Sequence, residues 1–379
     1  MLRRILLTLL AALPLTIGSA QQATTYQMNR EHSGYTKFAN ALTFPLTKKW
    51  SIGMPDLISY PLIADGKVYV TTRGINGGYG TVLFAINAVN GTKLWRKNIP
   101  GTYFWSGLAY GNGKVYVINF DGKMRCFDGA TGNLAWQRQL PGQYAFSSAP
   151  TYSNGRLYVG GAGSGGTLYC LNPVTGAVLW MSSVANGDQS SPACTDMEVF
   201  VSYAGNQTYS FHAITGDQIW HYNTGISGGG GKTTALSVLG LHTRDYDDNL
   251  ILNSATGDLK GRYLSYVIPA LVQRWRYTLW NGVLQGKDLS KAFAPWSFTG
   301  DGNLCTAPII VGKVLFMAST AGKFYALDRE TGATLWSTGL GYGVEWPDEQ
   351  NVSQPLTGMA AGEGIIVIPA GKRLIAYGN

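Results

Sequence analysis

The sequence predicts an all-β fold: a seven-bladed β-propeller of four-stranded antiparallel blades, its ring closed by the N-terminal strand. Three observations carry this. A short apolar strand recurs seven times, at Val68–Val70, Val115–Val117, Leu157–Val159, Val199–Val201, Leu250–Leu252, Val314–Phe316 and Ile365–Val367. Most copies follow a tight-turn pair such as Asp65-Gly66, Asn112-Gly113 or Asn154-Gly155, the strongest short-range hairpin signal. A glycine is followed four residues later by tryptophan at Gly91/Trp95, Gly132/Trp136, Gly176/Trp180, Gly216/Trp220 and Gly332/Trp336, and a further tryptophan stands at Trp275. A repeat of roughly 40–50 residues holding four short strands describes one propeller blade. Finally, the last unit, Pro355–Tyr377, has three strands and no tryptophan, while Leu46–Ile52 is a lone strand bearing Trp50. Joined, they make one more blade and leave no open end.

In chain order, Arg3-Arg4, the apolar run Ile5–Ile17 and Gly18-Ser19-Ala20 read as a secretory signal peptide cleaved after Ala20. The run is short for a membrane span, and no cysteine follows it, so no lipid anchor is expected. Residues 21–379 are then one propeller domain, with 21–45 as a lead-in. Without Arg3 and Arg4 the chain keeps 27 basic and 21 acidic residues, a formal charge of +6. The basic residues are spread along the chain and read as a solvated surface; no nucleic-acid module is present. Export makes the protein bacterial, periplasmic or secreted, and a closed ring is expected to be monomeric. Cys126 and Cys170 share a repeat position with Ala85, Ser210 and Ala326, which calls for a small side chain. Cys194 and Cys305 are the remaining pair, with a bridge between them left open.

The units Tyr325-Ala326-Leu327-Asp328, Thr331-Gly332 and Trp336, with their copies, resemble the PQQ-like, or quinoprotein-alcohol-dehydrogenase-like, propeller repeat, similar to the BamB-type outer-membrane assembly propeller. The resemblance covers nearly all of the exported chain. It implies that Trp50, Trp95, Trp136, Trp180, Trp220, Trp275 and Trp336 are docking residues between neighbouring blades. It also implies that Thr25–Thr36 is a lead-in segment, in which His32 reads as a turn residue. The assembly propeller is lipid-anchored and eight-bladed, and this chain is read as neither. The alcohol-oxidising branch binds PQQ with Ca²⁺ beneath a ring of adjacent disulfide-bonded cysteines, with an aspartate base. No two cysteines are adjacent here, so the expected cofactor is none, with PQQ and calcium as the alternative.

Sites on propellers arise in loops on one mouth of the ring. The expected blade-linking loops are 53–59, 100–106, 141–147, 182–190, 224–234, 279–306 and 338–354, the last three the richest. Their aromatics make Tyr103, Trp105, Tyr144, Trp296, Tyr342 and Trp346 candidate ligand-binding residues, with Glu345 beside Trp346. Asp348 and Glu349 read as a solvated acidic loop. Gly228–Thr233 lacks the spacing of a phosphate loop, and Asp245–Asn249 reads as turn chemistry rather than a calcium site. The four histidines, His32, His212, His221 and His242, share no metal-ligand spacing. The expected function is a non-catalytic scaffold of the bacterial envelope that binds a protein or glycan. The alternatives are a PQQ-dependent quinoprotein dehydrogenase and, behind it, a polysaccharide lyase.

Overall fold

The computed structural model describes residues 21–163, 165–226, 230–246, 248–292 and 295–379; the signal-peptide reading lies outside them. The chain is an all-β propeller, and it has eight blades, not seven. Each blade is an antiparallel meander whose first strand is innermost. Blade 1 comprises Leu62–Ala64, Lys67–Ile75, Gly78–Asn87 and Lys93–Ile99, and blade 2 Ser106–Gly111, Lys114–Asn119, Lys123–Asp128 and Leu134–Gln139. Blade 3 comprises Thr151–Ser153, Arg156–Gly163, Gly165–Leu171 and Val178–Val184; blade 4 comprises Ala193–Cys194, Glu198–Tyr203, Gln207–His212 and Gln218–Tyr222. Blade 5 comprises Ala235–Ser237, Gly240–His242, Asn249–Leu252 and Leu259–Tyr263; blade 6 comprises Ala270–Val272, Trp275–Trp280, Val283–Asp288 and Trp296–Phe298. Blade 7 comprises Ile309–Val311, Val314–Ala318, Lys323–Asp328 and Thr334–Gly339. Blade 8 takes Ala360–Gly362, Ile365–Ala370 and Arg373–Gly378 from the C-terminal end and Thr47–Gly53 from the N-terminal side. Trp50 pairs with Ala376 there, so the N-terminal strand closes the ring as expected.

The docking rule explains both the repeat and the miscount. In most outer strands the pairing slips by one residue just before the tryptophan, a bulge that turns the indole toward the next blade. There it meets the turn glycine of that blade: a Cβ on Gly132 would lie 2.7 Å from Trp95, and one on Gly332 2.5 Å from Trp296. Both glycines have positive φ, so conformation and contact select the same residue. The indole N–H then donates to a carbonyl of the same turn, as Trp50 does to Ala88 O at 2.8 Å and Trp296 to Arg329 O at 3.1 Å. The residue paired with each indole must be small: Ala85, Cys126, Cys170, Ser210 and Ala326 all lie opposite one. The four cysteines are free and buried, with no Cys194–Cys305 bridge.

In blade 5 the docking position is Gly261, paired with Ile251. The large side chain has moved to the partner strand and the tryptophan is gone. Leu250–Leu252 is accordingly the third strand of its blade, not the second. Trp275 is not a docking residue; it opens the second strand of blade 6, and Trp296 docks in its place, with Gly286 as its small partner. The stretch 279–306 is therefore mostly the outer half of blade 6, and only its end, from 299, links blade 6 to blade 7. Asp245 and Tyr246 lie after the second strand of blade 5 and Asn249 opens the third; Asp245 Oδ2 accepts from Gly205 N at 2.8 Å.

Consecutive antiparallel strands put two sets of turns on opposite faces. Turns joining strands one to two and three to four form the turn face; links between blades and hairpins joining strands two to three form the loop face. The lead-in crosses the axis near the turn face and bonds to every blade in order. Ala23 exchanges two 2.9 Å backbone bonds with Ile63 of blade 1, and Thr24 O accepts from Tyr110 of blade 2. Thr25 Oγ1 donates to Pro150 O at blade 3. Arg30, Glu31, Ser33 and Gly34 carbonyls accept from Cys194, Leu236, Leu271 and Ile310 of blades 4 to 7, and Gln21 O from Glu363 of blade 8. Residues 21–36 thus satisfy the inner edges of the innermost strands, which have no other sheet partner. His32 stands in a turn, as expected, and is fully buried in this plug. Its ring faces Tyr26 O at 2.6 Å and Pro192 O at 2.9 Å; burial lowers its pKa despite these carbonyls.

Burial also pushes His242 in blade 5 down to about 3, with Arg276 adding to the shift. The unfolded chain binds this proton below about pH 6.5 and the folded chain does not, so stability falls as pH drops from about 6.5 toward 3. At pH 5 the expected loss is about 2 kcal/mol relative to pH 7.5. Urea unfolding at both pH values checks this, and His242→Gln should remove that part of the slope.

Candidate functional site

The loop face is where the side chains of several blades converge, and its centre is filled. The segment leaving blade 7 runs across the axis: Val352 O accepts from Phe104 N at 3.1 Å, Leu356 O from Tyr60 N at 2.8 Å and Gln350 O from Gln189 Nε2 at 3.3 Å. It carries Glu349 down to Arg244 of the blade 5 hairpin. The two form an ion pair with side chains 4% and 2% exposed. Arg244 also donates to Tyr266 O at 3.2 Å and Thr233 O at 3.3 Å, and Glu349 Oε2 accepts from Thr233 N at 2.6 Å. Below the pair stands Tyr26 of the plug, its phenol pushed well above the ordinary range by burial and then by the Glu349 charge. Glu349 is thus a buried partner, not part of a solvated acidic loop.

Around this centre the sequence candidates fall into three groups. Tyr342, Glu345 and Trp346 share the axial segment; Tyr342 and Trp346 are 47% and 42% exposed, and Arg373 lies 5.4 Å from the Tyr342 ring. Glu345 borders a cavity of about 10 Å³, the size of one water. Tyr103 packs on Phe120, centroids 4.4 Å apart. Its neighbour Phe104 is bonded to the axial segment, packs tilted on Tyr79 with centroids 5.0 Å apart and sits 5.4 Å from Arg73. Tyr144 stands apart at blade 3, over a cleft of about 300 Å³ shared with Asn186 and Asp188. Burial raises the Asp188 pKa, against hydrogen bonds led by the 3.3 Å one from Ser147 Oγ.

Two candidates do not belong to a ligand surface. Trp105 is 2% exposed in the core, and Trp296 is the docking residue of blade 6. Sequence reasoning missed Arg244 and Asp188; nothing local marks either, since each acquires its role from loops far away in sequence. Among the described residues no group of three His, Cys, Asp or Glu side chains is placed to hold a metal ion, and no helix is long and apolar enough to cross a membrane. Gly228–Thr233 lies partly outside the described residues. The arrangement offers exposed rings and cations on a face whose axis is closed, suited to stacking and to broad contact.

A family model described as outer membrane protein assembly factor BamB matches residues 47–143, 78–164, 121–279 and 290–377. The dehydrogenase subunit of the quinone-dependent alcohol dehydrogenase of Gluconacetobacter polyoxogenes is 25% identical over 358 residues, covering 83% of this chain and 44% of the relative. The chain spans less than half the length of the first curated relatives it matches. Among solved structures, BamB from Moraxella catarrhalis aligns with a TM-score of 0.67 at 15% identity, over 88% of this chain and 100% of that one. Quinohemoprotein alcohol dehydrogenase ADHIIG from Pseudomonas putida HK5 gives 0.72 at 14% identity, over 94% and 80%. At these identities the structural likeness establishes the propeller and nothing about chemistry.

Proposed function

The chain belongs to the PQQ-repeat propeller family described as outer membrane protein assembly factor BamB, and from that membership we propose that it is a non-catalytic binding scaffold of the bacterial envelope. The ligand is a protein or glycan, held on the loop face by Tyr342, Trp346, Tyr103 and Tyr144. The observation that carries the reading is the closed axis: residues 21–36 fill it from one side, and the Arg244–Glu349 pair fills it from the other. A catalytic propeller needs a deep, water-shielded pocket for a reacting group; a closed centre ringed by exposed aromatics suits a broad partner. The leader read at residues 1–20 supports a periplasmic or secreted location.

The quinoprotein relatives raise PQQ with calcium, and the residues present do not fit it. Two adjacent cysteines are absent from the sequence, and the buried acid at the axis is already neutralised by Arg244. No step is assigned to that cofactor.

A photo-crosslinking amino acid at the neighbouring exposed position 345 or 348 in the exported protein tests the reading. Discrete protein or glycan adducts from the loop face are expected, lost when Tyr342→Ala and Trp346→Ala are added. The opposite result is a stoichiometric quinone absorbance after adding PQQ and Ca²⁺, with dye-linked alcohol oxidation.

A further inference from the structure

The seam where the ring closes carries a second opening, on the outer rim rather than at the centre of the loop face. Between the outer strands of blades 8 and 1 lies a cleft of about 570 Å³, walled by Met54, Pro55 and Phe84 and rimmed by Lys93 and Arg96. Comparison around the ring explains why it is open. The third-strand residue paired with the one after the docking tryptophan reaches back, in several blades, to the loop leaving the preceding blade. In blade 2 it is Arg125, paired with Gln137, whose Nη2 donates to Pro100 O at 3.5 Å. In blade 3 it is Tyr169, paired with Met181, whose hydroxyl donates to Pro141 O at 2.5 Å. In blade 4 it is Tyr209, paired with His221, whose hydroxyl accepts from Ala185 N at 3.0 Å.

Blade 1 has Phe84 there, paired with Arg96. Phenylalanine has no polar tip to reach the loop at Met54–Pro55, so no third-strand side chain latches this interface, and only Lys93 of the outer strand reaches across, to Gly53 O. The opening is apolar within and cationic at its edge. Lys93 Nζ lies 5.6 Å from the Phe84 ring centroid and donates to Gly53 O at 2.8 Å. Among the described residues no carboxylate stands within ion-pair distance of Lys93 or Arg96. Paired cations beside a buried ring attract a carboxylate and reject a cation, and the volume is in the range of roughly 300–1,000 Å³ that small ligands and short segments fill.

We propose that the cleft between blades 8 and 1 is a docking site for an extended segment of a partner protein carrying a carboxylate next to an aromatic side chain. The aromatic ring packs on Phe84 and Met54, and the carboxylate meets Arg96 and Lys93. Because the cleft is on the outer rim, this site stands or falls separately from the loop face.

Fluorescence anisotropy of the whole exported chain with a labelled hexapeptide alternating Asp and Phe reads it out. Control peptides carry Lys for Asp, or Ser for Phe. Saturable binding of the Asp–Phe peptide alone is expected, weakened at least about 10-fold by Arg96→Glu and several-fold by 0.5 M salt. Phe84→Tyr, which supplies the hydroxyl present at Tyr169 and Tyr209, should weaken binding similarly while leaving the melting temperature unchanged. The proposal is overturned by equal binding of the Lys–Phe peptide, by no saturable binding, or by full binding to both variants. Binding that survives in the Tyr342→Ala, Trp346→Ala double variant keeps the two sites distinct.

Discussion

Arg244→Leu is expected to lower the unfolding free energy by about 3–5 kcal/mol, because it leaves the Glu349 carboxylate buried and without its counter-charge. The pair ties four separate pieces of the loop face together. Arg244 comes from the blade 5 hairpin, its guanidinium bonds the blade 4–5 and blade 5–6 links at Thr233 and Tyr266, and Glu349 arrives from the segment leaving blade 7. Losing the cation should loosen this segment first, so partner binding at Trp346 should fall along with stability. The double variant Arg244→Leu, Glu349→Leu removes both charges and should recover most of the loss, since two apolar side chains of similar reach replace a desolvated pair at little net cost. Acid should narrow the gap between Arg244→Leu and the native chain. A buried carboxylate without its counter-charge is costly while ionised, so the variant is penalised at neutral pH and relieved where acid neutralises it. Urea unfolding of the two single variants and the double gives the coupling directly. A coupling below about 0.5 kcal/mol would mean that the axis is not held by this pair.

The ring, its antiparallel blades and its closure at Trp50 were legible because each rests on a local pattern. A turn pair sets a hairpin, and a glycine four residues before tryptophan sets a docking contact. The count failed where that local pattern is displaced. Blade 5 keeps the Thr256-Gly257 turn, 41 residues after Gly216, but has exchanged its indole for Ile251 on the neighbouring strand. Blade 6 keeps the indole, Trp296, but lacks the Thr-Gly turn before it. Counting tryptophans therefore merged two blades into one, with Trp275 standing in for both. The loop-face aromatics were legible only as residue types. Tyr342 and Trp346 remain at the surface, while Trp105 is drawn into the core and Trp296 into a blade interface. The centre of the face was not legible at all: Arg244 and Glu349 are 105 residues apart, and only ring closure brings them together. His32 looked like a turn residue because its backbone is one, with φ of 51°; its burial comes from blades that follow more than a hundred residues later.

A chain beginning at residue 37 should be far less stable than one beginning at residue 21, although it keeps every blade strand that forms the ring. The plug contributes backbone acceptors to the first strands of blades 2, 4, 5, 6 and 7, and a two-way bridge to blade 1. At about 1 kcal/mol for each of these seven bonds, and about 2 kcal/mol each for burying Tyr26 and Met28, the loss is about 11 kcal/mol. That is comparable to the whole stability of an ordinary domain, about 5–15 kcal/mol. Water entering the vacated axis would satisfy some of the exposed N–H groups, so the measured figure should be smaller, but still a fall in melting temperature of about 10–20 °C. The innermost edges would then be free to pair with other chains, and aggregation on warming should follow. A synthetic peptide spanning residues 21–36, added in trans, should raise the melting temperature in a concentration-dependent way. Its Gly34→Val counterpart should not, because Gly34 has positive φ and a Cβ there would lie 3.0 Å from Pro308 O. Melting of the shortened chain within a few degrees of the longer one would show that the blades hold their inner edges without the segment. The closed axis would then no longer support a scaffold over an enzyme, since a dispensable plug could leave the channel.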